Sequence, residues 1–438
     1  MINHRMYWFL LFIMCVVCTQ NTLAHYNKTF MQQRNHALNN LPMDYVTLKE
    51  REVARLEDRF GGILSAKSFI MNDVHSGAHT TYFSMYDKPI VTIPQDLLFS
   101  DIIHGLAVPA ESCIIKLIPK MESYGFILGY HQDLSKVLPG LYLAIKLPIM
   151  HMDSAINPVI TSNNDIVSFF QGAVIEGSNQ EPLHFGKIYP GFRDITHSNG
   201  VADIDITVGY RFLQKDEYNA GFSLALVLPT HEQEHSCAYL LEPMVGSNHW
   251  GIGGGIDAQA LIWGDEDHYL KISHATAYRY FFQAPEKRLL GLSNIPWGHY
   301  QLIRTSNGNL APAANYLVKN VEVAKGSIVE MLLGLTYARN GFTADLGYNL
   351  YFAERETIKM HHPIPQYTLD KDGSTHDIDA TVAETPLQFT NSIYAGIGYT
   401  LSDFENPLSV GIGCKFEFAS QNSALDNAQV WITLGWSF

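Results

Sequence analysis

The 438-residue chain predicts an all-β protein: one sheet closed into an antiparallel transmembrane β-barrel of about twelve strands (twelve to fourteen), preceded by an N-terminal helix or plug segment. Three observations predict it. Apolar and polar residues alternate with a period of two in segments of about ten residues, the length a tilted strand needs to cross a bilayer. The connections between these segments are short on one side and long on the other, an asymmetry of membrane barrels that a soluble sandwich does not require. After residue 24 no apolar run reaches about 18 residues, so helices cannot do the crossing.

The first elements are easily separated. A basic start to Arg5, an apolar run from Met6 to Cys18 and the small-x-small exit Thr22-Leu23-Ala24 read as a signal peptide over 1–24. Its core is too short for a membrane anchor, and Val17 stands where a lipoprotein signal needs a small residue before Cys18. Losing Arg5 takes the net charge from −14 to about −15, which argues against a nucleic-acid partner. Cys113, Cys237 and Cys414 then remain, an odd set without regular spacing and hence no disulfide framework.

Residues 25–45 are polar, rich in Asn and Gln, and lack any apolar period, so a mobile segment is expected. Residues 46–60 read as an amphipathic helix, with Thr47 and Glu50 as a capping box, Gly61-Gly62 as the stop, and a stripe of Val46, Val53, Leu56 and Phe60. Residues 63–108 are mixed and fit either a plug in the barrel mouth or one more hairpin of the wall. The expected organisation is therefore a periplasmic or plug segment over 25–108 and the barrel over 109–438.

Twelve alternating segments carry the barrel, at about 112–119, 124–133, 141–152, 203–212, 221–228, 249–262, 268–282, 327–339, 342–354, 391–402, 407–419 and 428–438. Lipid cannot hydrogen-bond a backbone, so the sheet must close and its outward side chains must be apolar. In that register Lys146, Asp203, Asp205, Arg211, Asp257, Lys271, Arg279, Glu330, Asp345, Lys415 and Glu417 all turn inward, as do Trp431, Tyr351, Tyr394 and Trp263. His274 and Thr276 turn outward against the pattern, which a bulge would repair. Tyr210, Phe212, Tyr278, Tyr280, Tyr337, Tyr348, Phe352, Tyr399 and Trp436 suit the aromatic girdles of the two interfaces.

The last strand, Ala428-Gln-Val-Trp-Ile-Thr-Leu-Gly-Trp-Ser-Phe438, alternates without a break and stops on phenylalanine. It resembles the final strand of Gram-negative outer-membrane β-barrel proteins of the porin-like class. That resemblance implies an outer-membrane location, the lipid bilayer as surroundings, and recognition by the outer-membrane assembly machinery through the Phe438 strand.

Two motifs invite enzymatic readings. His231-Glu-Gln-Glu-His235 fits H-E-x-x-H, but zinc-protease chemistry needs both histidines on one helix face and a third ligand. Here the motif follows Leu226-Val-Leu-Pro-Thr230 in an external loop, so His231 and His235 are only weak metal candidates and a chance match is expected. Twelve-strand barrels also resemble outer-membrane phospholipases, and an outward His274 beside Ser or Thr would suit such a membrane-surface hydrolase. No G-x-S-x-G elbow supports it. No enzyme and no cofactor are expected.

The inward charges of both signs suit a porin-like passive channel for small polar solutes, or a network that fills a narrow lumen. The loop segment 162–176 can form a short helix that narrows the pore, and Lys287, Arg288, Trp297, Tyr300 and Arg304 in the loop 283–326 can meet a ligand or cap the barrel. A structural or adhesive barrel without transport is the alternative.

Overall fold

A computed structural model describes residues 27–45 apart from 36 and 39, 61–75, 82–83, 91–93, and 113–438 apart from 162–163, 175–179, 189–195, 216, 231–234, 266–267, 306, 361–365, 371–372, 402–403 and 422–425. The expected signal peptide, the expected helix 46–60 and His231 lie outside the described residues.

Twelve strands form the wall: β1 (Gly62–His75), β2 (Pro119–Asp133), β3 (Leu141–Ile156), β4 (Thr196–Val201 continued by Ile204–Gln214), β5 (Tyr218–Leu228), β6 (Gly251–Gly264), β7 (His268–Phe281), β8 (Gly326–Arg339), β9 (Phe342–Ala353), β10 (Gln388–Leu401), β11 (Leu408–Gln421) and β12 (Asp426–Ser437). Each pairs antiparallel with its chain neighbours, and β1 pairs with β12 from Ile63 opposite Ser437 to His75 opposite Asp426, which closes the ring. Backbone bonds between Gly62 and Phe438 finish the seam.

The wall is all-β and closed as the alternation predicts, but one member differs. Residues 62–75, left open between plug and hairpin, are its first strand, so the wall begins well before residue 109. The segment 112–119 is no wall strand: Cys113–Lys116 joins Val91–Ile93 and Val159–Thr161 in a small sheet.

The exterior follows from the pleat. Ile70, Phe126, Ile149, Val208, Leu224, Ile256, Ile272, Leu335, Leu346, Ile397, Ile412 and Ile432, one from each of β1 to β12, are exposed. Exposed aliphatics on every strand of a closed cylinder make a bilayer-spanning exterior, because water would not tolerate so continuous an apolar ring. Along β12 the order is strict, with Val430, Ile432, Leu434 and Trp436 exposed and Gln429, Trp431, Thr433 and Ser437 buried.

Short turns share the rim of Phe438. Asn340 and Gly341, both at positive φ, link β8 to β9 in the two-residue hairpin that suits twisted strands. Pro148 of β3, which has no N–H to donate, lies where β4 is interrupted at Ala202 and Asp203, and accepts a bond from the Ala202 N–H.

At the other rim the long loops do not stay mobile. They fold into a cap with its own apolar core, in which Phe169, Phe170, Leu290, Trp297, Tyr300 and Leu317 are among the fully or nearly fully buried residues. The short helix α1 (Asn164–Gln171) contributes Ile166, Phe169 and Phe170 to that core and so belongs to the cap.

Candidate functional site

The lumen is occupied by the N-terminal segment. Residues 27–45 lack an apolar period because their surroundings are a polar tube, so the expectation of a mobile segment is corrected: this is the plug. It starts in the cap, where Lys28 and Thr29 N–H groups donate to the Tyr82 and Val382 carbonyls and Arg288 lies over the Phe30 ring. Asn35 then caps a turn by accepting from the Ala37 and Leu38 N–H groups at 3.2 and 3.1 Å. A five-residue helix, Leu41–Tyr45, follows deep in the barrel.

Two sets of charges fasten the plug. Arg34 donates to Glu417 at 2.6 Å and to Glu330 at 3.1 Å, with its guanidinium 4.1 Å from the centre of the Tyr351 ring. Asn349 and the Leu41 N–H also donate to Glu330, and Lys415 stands 3.0 Å from Glu417. Nearer the short-turn rim, Asp44 pairs with Lys67 at 3.2 Å and with Lys146. Between them Asn40 donates to Gln429 at 2.7 Å, and Met43 packs without exposure among Phe69, Met71 and Trp431. Burial makes these ion pairs costly to break singly, since the remaining charge is stranded in a low-dielectric interior.

The plug fills one side of the lumen, against β1, β8, β9, β11 and β12, where the inward side chains are large. Opposite it the inward residues of β3 to β7 are small, including Ala144, Ser223, Ala225, Gly255, Ser273 and Ala275, and a cavity of about 190 Å³ remains. His131, Tyr142, Gln259, Tyr269, Thr343 and Asp345 line it and sit within a few residues of the short turns, which places its mouth at that rim. Lys146, Asp257, Lys271, Arg279 and Asp345 give its wall both signs of charge. Arg279 also reaches buried Asp205 at 2.5 Å across two intervening strands.

The sequence-predicted inward residues are therefore divided. Lys146, Asp257, Lys271, Arg279 and Asp345 meet at the cavity; Glu330, Lys415, Glu417 and Trp431 meet at the plug; Asp205 joins Arg279. Asp203 is fully buried beneath the cap and accepts the Ser247 N–H, and Arg211 lies over Tyr142 at 5.1 Å. Tyr351 and Tyr394 are inward and buried, but Trp263 is 56% exposed. The register between β6 and β7 shifts between Leu261 and Trp263, and a one-residue slip exchanges the two faces.

Of the residues behind the enzymatic candidates, His235, His274 and Thr276 are described. His235 is not on a helix; its ring faces Glu242, Met244 and the edge of Phe30. Among the described residues no group of three His, Cys, Asp or Glu side chains is arranged to hold a metal ion. His274 and Thr276 face outward with no bulge in the β7–β8 register around them, and bond to each other at 3.0 Å. Their in-register neighbours are Leu333, Met331, Ala258 and Ile256, which supply no amide or carboxylate to orient a base.

Arg288, Trp297 and Tyr300 are buried within the cap, while Arg304 is exposed and pairs with Asp370 at 2.5 Å. Sequence reasoning missed the polar knots beneath this cap. Glu286 takes His249 and Arg288 at 2.6 Å each and Lys325 at 3.4 Å; burial opposes its ionisation, but the Arg288 and Lys325 cations and the hydrogen bond with His249 hold its carboxyl well below the usual range. Burial likewise works against Glu242, yet hydrogen bonds from His235, Ser236 and Tyr239 bring it to about 2. Neither has a periodic sequence signal: Glu286 needs His249 and Lys325 from other segments beside the nearby Arg288, and Glu242 is ringed by the irregular stretch 235–239 just before it.

No protein-family model and no curated protein matches the chain. Among solved structures, it is similar to an outer membrane channel from Pseudomonas putida F1 (11% identity over 91% of this chain and 99% of that one, TM-score 0.44). It is also similar to the β domain of the Bordetella autotransporter Brka (10%, 87% and 100%, TM-score 0.37) and to a Pseudomonas aeruginosa FadL homologue (10%, 93% and 99%, TM-score 0.32).

Proposed function

We propose that the protein is an outer-membrane channel of Gram-negative type for small polar solutes, held closed by its own N-terminal segment. The observation that carries this reading is the half-filled lumen: a polar cavity with charges of both signs, open toward the short-turn rim and bounded by a plug that ion pairs fasten to the wall. A barrel serving only as a scaffold has no use for small inward residues that keep space beside a plug. Opposed charges around such a space favour solutes that carry polar groups on more than one side. The C-terminal Phe438 strand is the element the assembly machinery would recognise.

Planar-bilayer recording tests the proposal. The intact chain is expected to be mostly closed, and deletion of residues 27–45 is expected to give steady conductance. A plug-deleted barrel that folds, migrates faster on unheated gels than after boiling, and still passes no ions would end the channel reading.

The buried cap favours a second reading, an externally facing structural barrel, since loops with a core of their own present a defined surface. The same plug deletion distinguishes the two.

A further inference from the structure

The lower fastening of the plug is lopsided. Asp44 holds two lysines in different surroundings: Lys67 of β1 is 4% exposed and lies outside the cavity lining, whereas Lys146 of β3 is 25% exposed and lines the cavity. Asp44 lines it too, with Leu41 and Tyr45 of the same short helix. A solute in the cavity therefore touches the closure and one half of its latch at once. The pair with Lys67 is shielded from competing ions by burial, while the pair with Lys146 is reached by water and can exchange partners.

The cavity also limits what can compete. At about 190 Å³ it is smaller than the roughly 300–1,000 Å³ of sites for drug-sized ligands. Tyr142 and Tyr269 are buried in its wall, with Arg211 at 5.1 Å and Lys271 at 4.2 Å from their ring centres, so they do not form the exposed stacking platform a sugar would use. A carboxylate suits Lys146, but Asp257 and Asp345 stand in the same cavity and repel a solute that is only an anion.

We propose that small amino carboxylates are the solutes that open the plug, the carboxylate taking the place of Asp44 on Lys146 while the ammonium faces the acidic residues of the cavity. Only the undocked plug leaves Lys146 open to such a solute, so the solute binds that state in preference and draws the equilibrium toward it. Within the plugged-channel reading on which this rests, the closure answers to its own solute. In outer-membrane barrels the short turns face the periplasm, so the solute reaches the latch from that side.

Thiol labelling of Met43→Cys in a background lacking the native cysteines, on the folded barrel in detergent, tests this, because Met43 is without exposure when the plug is docked. L-Alanine is expected to speed labelling about tenfold at about ten times its dissociation constant for the undocked state. Acetate at equal ionic strength should act more weakly, and ethylamine not at all. Lys146→Met, or Lys146→Gln if the former misfolds, should label faster without solute and lose the response to alanine. Lys67→Met should also label faster but keep the response, since its lysine is not the one the solute meets. Heat-modifiable gel migration reports that each variant is folded. No acceleration by alanine, an acceleration by acetate or ethylamine equal to that by alanine, or an undiminished response without Lys146 would overturn the proposal. The readout is plug exposure and not current: a barrel that never conducts would leave a positive result standing, and an unresponsive plug would leave the conductance of the plug-deleted barrel to decide the channel reading.

Discussion

Arg34→Met tests the plug most directly. The substitution keeps most of the side-chain stem but removes the charge that Glu417 and Glu330 share at 2.6 and 3.1 Å. Breaking a buried ion pair from one side costs about 3–5 kcal/mol. Here the lower end applies, because Lys415 still stands 3.0 Å from Glu417 and Asn349 still donates to Glu330 at 3.0 Å. A shift of about 3 kcal/mol in the docking equilibrium corresponds to about a 150-fold rise in the undocked fraction. The assay is thiol labelling of Met43→Cys, a position without exposure in the docked state, in a background lacking the native cysteines and with a membrane-impermeant reagent. When redocking is faster than labelling, the rate follows the undocked population. Labelling of the double variant within about threefold of the Arg34 form would show that this cluster is not the anchor.

Three further outcomes are expected. Ile432→Arg places a cation at mid-belt on β12 and should destabilise the barrel by about 2–4 kcal/mol in urea unfolding from liposomes, whereas unchanged stability would mean this face does not meet lipid. Glu242 has its folded pKa lowered to about 2, so its contribution, on the order of 3 kcal/mol, is present above the ordinary carboxylate value and fades as pH falls from about 4.5 toward 2. Trp297 fluorescence should report the cap loosening in that window, and in the Glu242→Gln variant the acid transition should flatten; an unaltered transition would remove Glu242 from the account. Burial pushes the Cys237 thiol up to about 12, so iodoacetamide at pH 8 should leave it unmodified until denaturant opens the cap, and rapid alkylation of the folded protein would contradict its burial.

Most of the wall was legible because a lipid-facing strand obeys a rule that is local in sequence: every second side chain is apolar. Strand β1 escaped that rule for a physical reason. Its outward positions include Ala66 and Ser68, while inward Phe69 and Met71 are apolar because they face the plug's Met43 and the ring of Trp431 rather than water. The plug was illegible for the complementary reason. Its Asn, Gln and Arg side chains satisfy partners as far away as Gln429 and Glu417, so its polarity read as solvation. Trp263 was misplaced because a bulge changes parity without marking the composition.

The amino-acid order by itself determined that the chain closes as an antiparallel barrel, which residues turn toward lipid on most of its strands, and that acidic and basic side chains share the interior, since all of these follow from a period of two and the cost of bare backbone in hydrocarbon. Only the tertiary structure decided that the first strand is Gly62–His75, that residues 27–45 thread the lumen, that the long loops form a cap, and that the inward charges divide between plug and cavity. Those features depend on partners hundreds of residues apart, and a polar side chain carries no local sign of whether water or another chain segment will satisfy it.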